Sequence, residues 1–265
     1  MLISPFSVVT FAIAAVLAAT PVLTQDLSSG RWIDLTHPFN EDSVYWPTAK
    51  MFEKDTVFEG TTEGGWYYSA YNFSAAEHGG THLDAPIHFA EGAHTADQLP
   101  VEQLIGPGFV IDVSEKVADN VDYQVGAADI EAFEAEHGRI PEGANVLINT
   151  GRAPLYPDRE VYMGTAERGA QAVAKLHFPG LGRDGAELLV ARGIGAVGID
   201  TPSIDYGQSR NFETHVELMT HNISAFENVA DMSQLPPVGT IIIALPMKIE
   251  GGSGGPLRIV AHLPE

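Results

Sequence analysis

The chain has 265 residues, of which 45% are hydrophobic and 18% charged, and this composition excludes wholesale disorder. The length is enough for one large domain with a full core. A formal net charge of −21 makes a nucleic-acid or anionic-lipid partner unfavourable. Because the chain has no cysteine, disulfides and thiolate-bound zinc are excluded, and any metal site must use His, Asp or Glu.

The N-terminal segment is expected to be a signal peptide. Residues 1–25 contain no charged residue and no histidine, and residues 5–19 are almost continuously apolar. That length suits a signal peptide and is short for a membrane span. We therefore expect residues 26–265 to form the mature domain of a periplasmic or secreted protein without membrane association. No Lys or Arg precedes the apolar run, so the alternative is a packed N-terminal helix in a cytoplasmic protein.

Short apolar runs and two helical patterns predict an α/β protein with a mixed sheet. Continuous β-branched runs are typical of strands covered on both faces. The expected strands are residues 32–35, 67–73, 109–113, 145–149, 196–200, 240–245 and 258–262. Helices are predicted at residues 127–137 and 184–192, ended by Gly138 and Gly193. We expect residues 163–181 to form a long surface loop, and the glycine-rich residues 251–255 a flexible turn.

Four residues that can bind a metal or move a proton lie within eleven positions. They are His78, His82, Asp84 and His88, and three of the ten histidines are thus concentrated in one segment. The intervening glycines and Pro86 favour a tight loop or an irregular turn over a helix. Apolar neighbours suggest burial, which is costly for unpaired polar groups. Imidazole and carboxylate suit Zn²⁺ or Mn²⁺, so the segment indicates the active site of a metal-dependent hydrolase.

Two later residues are candidates to complete this site. His215 and Glu227 are twelve positions apart and follow the predicted strand that ends at Asp200. Loops after the carboxyl ends of strands are where α/β proteins place their sites. Spacing alone leaves both residues open as ligands.

The segment from His78 to Phe89 resembles the signature of the metal-dependent cyclase family, His-x-Gly-Thr-His-x-Asp-x-Pro-x-His, at every position. That family includes bacterial kynurenine formamidase and isatin hydrolase. The resemblance implies a swivelling β/β/α fold, a homodimer or homotetramer, and hydrolysis of a small aromatic or cyclic amide. It also implies that His78, His82 and Asp84 are ligands. A His215/Glu227 pair resembles the formamidase branch, in which such a pair completes a two-metal site, whereas isatin hydrolase uses one metal.

The expected chemistry follows from these residues. A divalent ion lowers the pKa of a bound water molecule. His88 would then be a second-metal ligand, a proton shuttle or both, and Glu227 would orient His215 or hold a second ion. The expected substrate contacts are Trp66, Phe89 and His221, while Trp46, Tyr67 and Tyr68 are expected to pack in the core.

Three alternatives remain open at this point. One is lactam opening with a single Mn²⁺, as in isatin hydrolase. Another is lactone opening or a dehydrating cyclisation at the same metal site. The third is a non-catalytic, exported metal- or ligand-binding protein, in which protein ligands would close the coordination sphere.

Overall fold

The computed structural model describes residues 26–264, so the expected signal peptide lies outside the described residues. The strands are β1 (Arg31–Asp34), β2 (Glu53–Thr61), β3 (Tyr67–Ser74), β4 (His82–Asp84), β5 (Ile105–Asp112), β6 (Gln124–Val125), β7 (Asn145–Asn149), β8 (Gly180–Leu181), β9 (Ala196–Ile199), β10 (Ser224–Glu227), β11 (Thr240–Pro246) and β12 (Gly254–Leu263). The α-helices are α1 (Val101–Leu104), α2 (Ser114–Asp119), α3 (Ala127–His137), α4 (Arg159–Met163), α5 (Arg183–Arg192) and α6 (Glu213–Thr220). Short 3₁₀ helices cover Pro86–His88, Ala153–Leu155 and Ala170–Lys175.

Eight of the strands form a mixed sheet that closes on itself. Their order is β1-β12-β11-β5-β7-β9-β10-β4, and β12 also pairs with β4. The pairs β5–β7, β7–β9 and β9–β10 are parallel, while the remaining pairs are antiparallel. The structure thus has the mixed α/β architecture expected from the sequence, with a barrel-like sheet. Within residues 26–264, no helix is both long and apolar enough to span a bilayer.

The central strands are buried on both faces, as their composition predicts. Every residue of β7 and β9 is buried. One core fills the space between the sheet and helices α3, α5 and α6, with Ile130, Leu189 and Leu218 among its members. A second core lies on the other side of these strands and includes Leu147 and Phe226. The two cores hold the neighbouring strands β9, β10 and β4 in fixed positions.

Gly138 and Gly193, the two stop signals read from the sequence, directly follow the last residues of α3 and α5. The Asp129 carboxylate accepts a hydrogen bond from the backbone N–H of Gly126 at 2.8 Å, which fixes the start of α3. Gly193 ends α5 with φ of 70°, a conformation that glycine adopts without steric cost. The predicted helices at 127–137 and 184–192 are therefore confirmed within a residue.

Strands β2 and β3 form a separate antiparallel hairpin that pairs with no strand of the main sheet. Its aromatic side chains are largely exposed, including Trp66 at 64%, Tyr67 at 63% and Tyr68 at 51%. The predicted strand at 67–73 is confirmed. The expectation that Tyr67 and Tyr68 pack in the core was wrong, because the β-like pattern of this segment does not reveal that the hairpin projects away from the rest of the chain.

The two segments expected to be loops are more ordered than their glycine content suggests. Between residues 163 and 181, Met163, Leu176 and Phe178 are buried in a small core with Val44, so this segment is not a surface loop. In the turn at 251–255, Gly254 and Gly255 pair with Asp84 and Leu83 of β4. The segment from 78 to 88 contains strand β4 and a 3₁₀ helix, where the sequence favoured an irregular turn.

Candidate metal centre

Strand β4 places two of the site residues on one face. His82 and Asp84 are two residues apart, so their side chains point to the same side of the sheet. β10 runs antiparallel to β4 and sets Glu227 directly opposite His82. All three side chains are almost fully buried, with relative exposures of 2%, 1% and 4% for His82, Asp84 and Glu227. The register of one strand pair thus assembles half of the site.

His78 comes to the site on the loop before β4. Its Nδ1 lies 2.5 Å from Asp84 Oδ1. Gly79, at φ of 154°, lets this loop run directly beneath the Tyr45 ring, because a Cβ there would lie 2.0 Å from the ring carbon Cδ1. Gly80 follows in the left-handed region at φ of 59°. The two glycines of the motif are therefore needed to turn the chain between His78 and His82.

His215 arrives from the first turns of α6. Its Nε2 lies 3.2 Å from Asp84 Oδ2 and 3.3 Å from Glu227 Oε1. His82 Nε2 lies 3.1 Å from Asp84 Oδ1 and 3.4 Å from Glu227 Oε2. The structure therefore brings together His78, His82 and Asp84 from one segment and His215 and Glu227 from another. The two segments are 131 positions apart at their nearest members, Asp84 and His215.

These side chains form two groups of three, and the donor atoms of each group lie close enough together to bind one metal ion. The two groups share the carboxylate of Asp84. The first group is His78, His82 and Asp84, and the second is Asp84, His215 and Glu227. A carboxylate with one oxygen toward each group is suited to a bridge between two ions. The sequence alone did not establish this sharing, because the position of β10 beside β4 depends on the sheet topology.

The charges and free lone pairs of the cluster fit a divalent cation. His82 Nε2 is buried and has no hydrogen-bond partner among the described residues. Burial alone would lower the pKa of His82, but Asp84 and Glu227 outweigh that effect and raise it to about 10. Burial likewise acts to raise the pKa of Asp84, yet His78 and His82 bring it well below its usual range. Two buried carboxylates therefore demand positive charge, and nitrogen and oxygen donors of this kind suit Zn²⁺ or Mn²⁺.

The outer nitrogens of two histidines are fixed by acceptors. His82 Nδ1 donates to the carbonyl of Gly80 at 3.0 Å, and His215 Nδ1 donates to Asp205 Oδ2 at 2.6 Å. Each bond leaves Nε2 facing the carboxylates, the arrangement that orients histidine ligands in metal sites. Asp205 was not identified from the sequence. Its position in the loop after the strand ending at Asp200 was the one available signal.

His88 belongs to neither group of ligands. Its ring stacks on His78 at a centroid distance of 3.8 Å and an interplanar angle of 18°. Burial lowers the pKa of His88 to about 4, with Asp84 opposing the shift and His78 adding to it. The ring is therefore neutral near pH 7 and has a lone pair that can accept a proton.

A cavity of about 280 Å³ opens onto the cluster. His78, His82, Asp84, His88, His215 and Glu227 all line it. Its apolar wall includes Trp46, Phe89 and Phe212. Phe212 was not identified from the sequence. Trp46 packs against the small core that contains Val44, as expected, and it also lines the cavity. Phe89 lies where a substrate contact was expected.

Two other expected substrate contacts lie elsewhere in the chain. Trp66 is at the end of the exposed β2–β3 hairpin, and His221 is an exposed residue at the end of α6. Neither lines the cavity described above. The hairpin and the helix direct both residues away from the cluster of this chain.

Comparison with known proteins identifies the family. A sequence model of the family described as "Putative cyclase" matches residues 33–206, and the chain belongs to this family. Isatin hydrolase of Roseibium aggregatum is 34% identical over 207 residues, covering 75% of this chain and 76% of that protein. Kynurenine formamidase of Bacillus anthracis is 27% identical over 237 residues, covering 88% and 98%.

Solved structures agree with this assignment. Isatin hydrolase A from Labrenzia aggregata, bound to benzyl benzoate, superposes with a TM-score of 0.80 at 30% identity, covering 90% of this chain and 95% of that chain. An isatin hydrolase bound to the product analogue thioisatinate superposes with a TM-score of 0.81 at 29% identity, with coverage of 90% and 94%. The expected cyclase-like α/β fold is therefore confirmed.

Proposed function

We propose that this protein is a metal-dependent hydrolase that cleaves the C–N bond of an amide in an aryl formamide or a cyclic aryl amide. The observation that carries the proposal is the pair of buried ligand groups sharing Asp84 at the base of an aromatic-walled cavity. The relatives named isatin hydrolase and kynurenine formamidase support hydrolysis of a non-peptide C–N bond. A small planar amide is the substrate class that both names share.

His78, His82 and Asp84 would hold one ion, and His215 and Glu227 with Asp84 would hold a second. A bound divalent ion supplies Lewis acidity, which polarises a carbonyl oxygen and lowers the pKa of water. His88 faces the same cavity and belongs to neither group of ligands, so its ring nitrogens remain available for proton transfer. It would accept a proton from the attacking water and return it to the leaving nitrogen. Such proton transfer contributes about 10²–10⁴-fold to a rate.

The presence of Glu227 supports a two-ion centre. Its Oε1 accepts a hydrogen bond from the Ile204 backbone at 2.7 Å, and its Oε2 lies 3.4 Å from His82 Nε2. One carboxylate oxygen is thus held by the backbone while the other faces the first group. Zn²⁺ and Mn²⁺ both accept this donor set, so we propose either ion as the cofactor.

Opening of a cyclic amide with a single Mn²⁺ ion, rather than two ions, is the second candidate reaction. It is favoured by the 34% identity to isatin hydrolase and by the TM-scores of 0.80 and 0.81 to isatin hydrolase structures. An aryl formamide and a fused lactam both present a planar ring and one amide carbonyl. The aromatic side chains Trp46, Phe89 and Phe212 would contact the ring in either case.

We further propose that the protein is a homo-oligomer, a dimer or a tetramer. The β2–β3 hairpin exposes Trp66, Tyr67, Tyr68 and Phe73 at 51% to 64% of their surface. Exposed apolar area of this kind on a soluble protein is typical of a contact surface. A second copy of the chain would cover these rings, and sedimentation of the purified protein tests this assignment.

Hydrolysis assays test the proposed reaction. Purified protein would be incubated with N-formylkynurenine and with isatin, then treated with a chelator and resupplied separately with Zn²⁺ and Mn²⁺. We expect turnover of at least one substrate, loss of that turnover on chelation and its return with metal. Bound metal without turnover of either compound, or of related lactones, would support the alternative of a non-catalytic binding protein.

A further inference from the structure

His78 differs from the other two histidine ligands in how its ring is held. The side chains of His82 and His215 are 2% and 4% exposed, whereas that of His78 is 24% exposed. His78 also lies on a loop, while His82 belongs to a strand and His215 to a helix. Surrounding side chains therefore restrict the His78 ring less, and its orientation needs another source.

A hydrogen-bonded chain reaches the outer nitrogen of His78. His78 Nε2 lies 2.8 Å from Ser253 Oγ, and Ser253 Oγ donates to Glu77 Oε2 at 2.6 Å. A serine hydroxyl has one proton, and here that proton is directed to the carboxylate. Ser253 Oγ can therefore only accept from His78, so the proton of the neutral imidazole is on Nε2. The other ring nitrogen, Nδ1, faces Asp84 Oδ1 at 2.5 Å, the side on which a metal ion would bind.

The backbone around Ser253 is fixed on both sides. Its N–H donates to Glu77 Oε2 at 2.9 Å, and its carbonyl accepts from the Ala85 N–H at 2.8 Å. The next residue, Gly254, packs against the edge of the His78 ring. A Cβ at Gly254 would lie 2.7 Å from His78 Cε1 and 2.5 Å from the Leu83 carbonyl oxygen. The glycine-rich turn thus forms a close wall behind His78.

We infer that Ser253 and Glu77 are positioning residues that hold His78 in the tautomer whose Nδ1 faces the metal position. His82 and His215 are held in the same way by the Gly80 carbonyl and by Asp205, but there Nε2 faces inward. Hydrogen-bond partners behind histidine ligands typically change metal affinity by about 10–100-fold. This inference depends on the metal site and is independent of which amide is the substrate.

Calorimetric titration of metal-free protein with Zn²⁺ and Mn²⁺ tests the inference. We expect Ser253→Ala to raise the Kd by about 10–100-fold, and Ser253→Thr, which keeps the hydroxyl, to restore most of the affinity. Glu77→Ala should act in the same direction but more weakly, because Ser253 can still accept from His78. Ser233→Ala is the matched control, since Ser233 bonds Asp231 through the same two groups on an exposed loop.

Long-range ¹H–¹⁵N spectra of the zinc-loaded wild type give a second readout that needs no variant. We expect His78 to carry its proton on Nε2. A proton on Nδ1, or a Ser253→Ala variant that binds metal as tightly as the wild type, would overturn the inference. Failure of the wild-type protein to bind any metal would instead contradict the metal centre itself, so the two outcomes are distinguishable.

Discussion

The Asp205 carboxylate holds His215 by two bonds from a single oxygen. Oδ2 accepts from the imidazole Nδ1 at 2.6 Å and from the His215 backbone N–H at 3.1 Å. Burial acts to raise the pKa of Asp205, but the hydrogen bonds from His215 and Thr214 and the charge of His215 together outweigh it, and the pKa is lowered. The carboxylate therefore remains charged near pH 7, fixing both the start of α6 and the direction of the His215 ring.

We expect Asp205→Asn to weaken metal binding by about 10–100-fold, because the amide cannot replace the charge that orients His215. The affinity should fall more for the ion held by Asp84, His215 and Glu227 than for the ion held by His78, His82 and Asp84. The reason is that Asp205 contacts His215 but neither His78 nor His82. Metal titration measures this difference. Asp231→Asn, on an exposed loop, is the control, and equal affinities of Asp205→Asn and wild type would contradict the role given to Asp205.

His88→Ala should reduce turnover by about 10²–10⁴-fold while leaving the metal content unchanged. The reason is that His88 lines the cavity but belongs to neither group of ligands. Steady-state kinetics combined with elemental analysis of the same sample measures both effects. His177→Ala, which removes an exposed imidazole paired with Asp122, serves as the control. Loss of metal in His88→Ala would place His88 among the ligands instead.

Phe212→Leu should raise KM for aryl substrates by up to about tenfold, because an aromatic contact is worth about 0.5–1.5 kcal/mol beyond its area. Phe212 has φ of 49°, an uncommon conformation for a bulky residue, and its ring lies 5.2 Å from that of Phe89 in the cavity wall. A small alkyl formamide is the matched comparison substrate. An equal change in KM for aryl and alkyl substrates would argue against ring recognition.

His37 should contribute to loss of stability in mild acid. Its ring stacks on Tyr156 at 3.8 Å, its Nε2 has no partner among residues 26–264, and burial lowers its pKa from 6.5 to about 4. In the unfolded chain the imidazole takes up a proton below pH 6.5, while in the folded protein it stays neutral down to about 4. Burial of the neutral His37 ring therefore costs no stability above pH 6.5. As the pH falls from 6.5 towards 4, protonation of the unfolded chain lowers the free energy of unfolding.

The variant His37→Phe should accordingly lose less Tm than the wild type between about pH 7 and about pH 5. Thermal unfolding followed by circular dichroism at several pH values measures the difference. His221→Phe, at an exposed position on α6, is the control. Parallel Tm profiles of wild type and His37→Phe would show that His37 does not contribute to the acid sensitivity.

The sequence predicted those features that depend on local spacing. The strands at 145–149 and 196–200 were recognisable because they are continuous apolar runs that are buried on both faces. The cluster from His78 to His88 was recognisable because its donors are close together in the chain. Contacts that depend on topology were not predictable. Ser253 lies 175 positions from His78 and meets it only through the sheet. Asp205 and Phe212 lie close to His215 in the chain, but the direction of their side chains depends on the fold of the loop before α6.

Metal content is the most direct test of the central claim that the buried cluster is a metal centre. Elemental analysis would be carried out on wild-type protein purified under metal-replete conditions, with Asp84→Asn in parallel. Because Asp84 is shared by both ligand groups, we predict about two equivalents of Zn²⁺ or Mn²⁺ per wild-type chain and a large loss from both positions in Asp84→Asn. A wild-type protein that contains no metal would contradict the account.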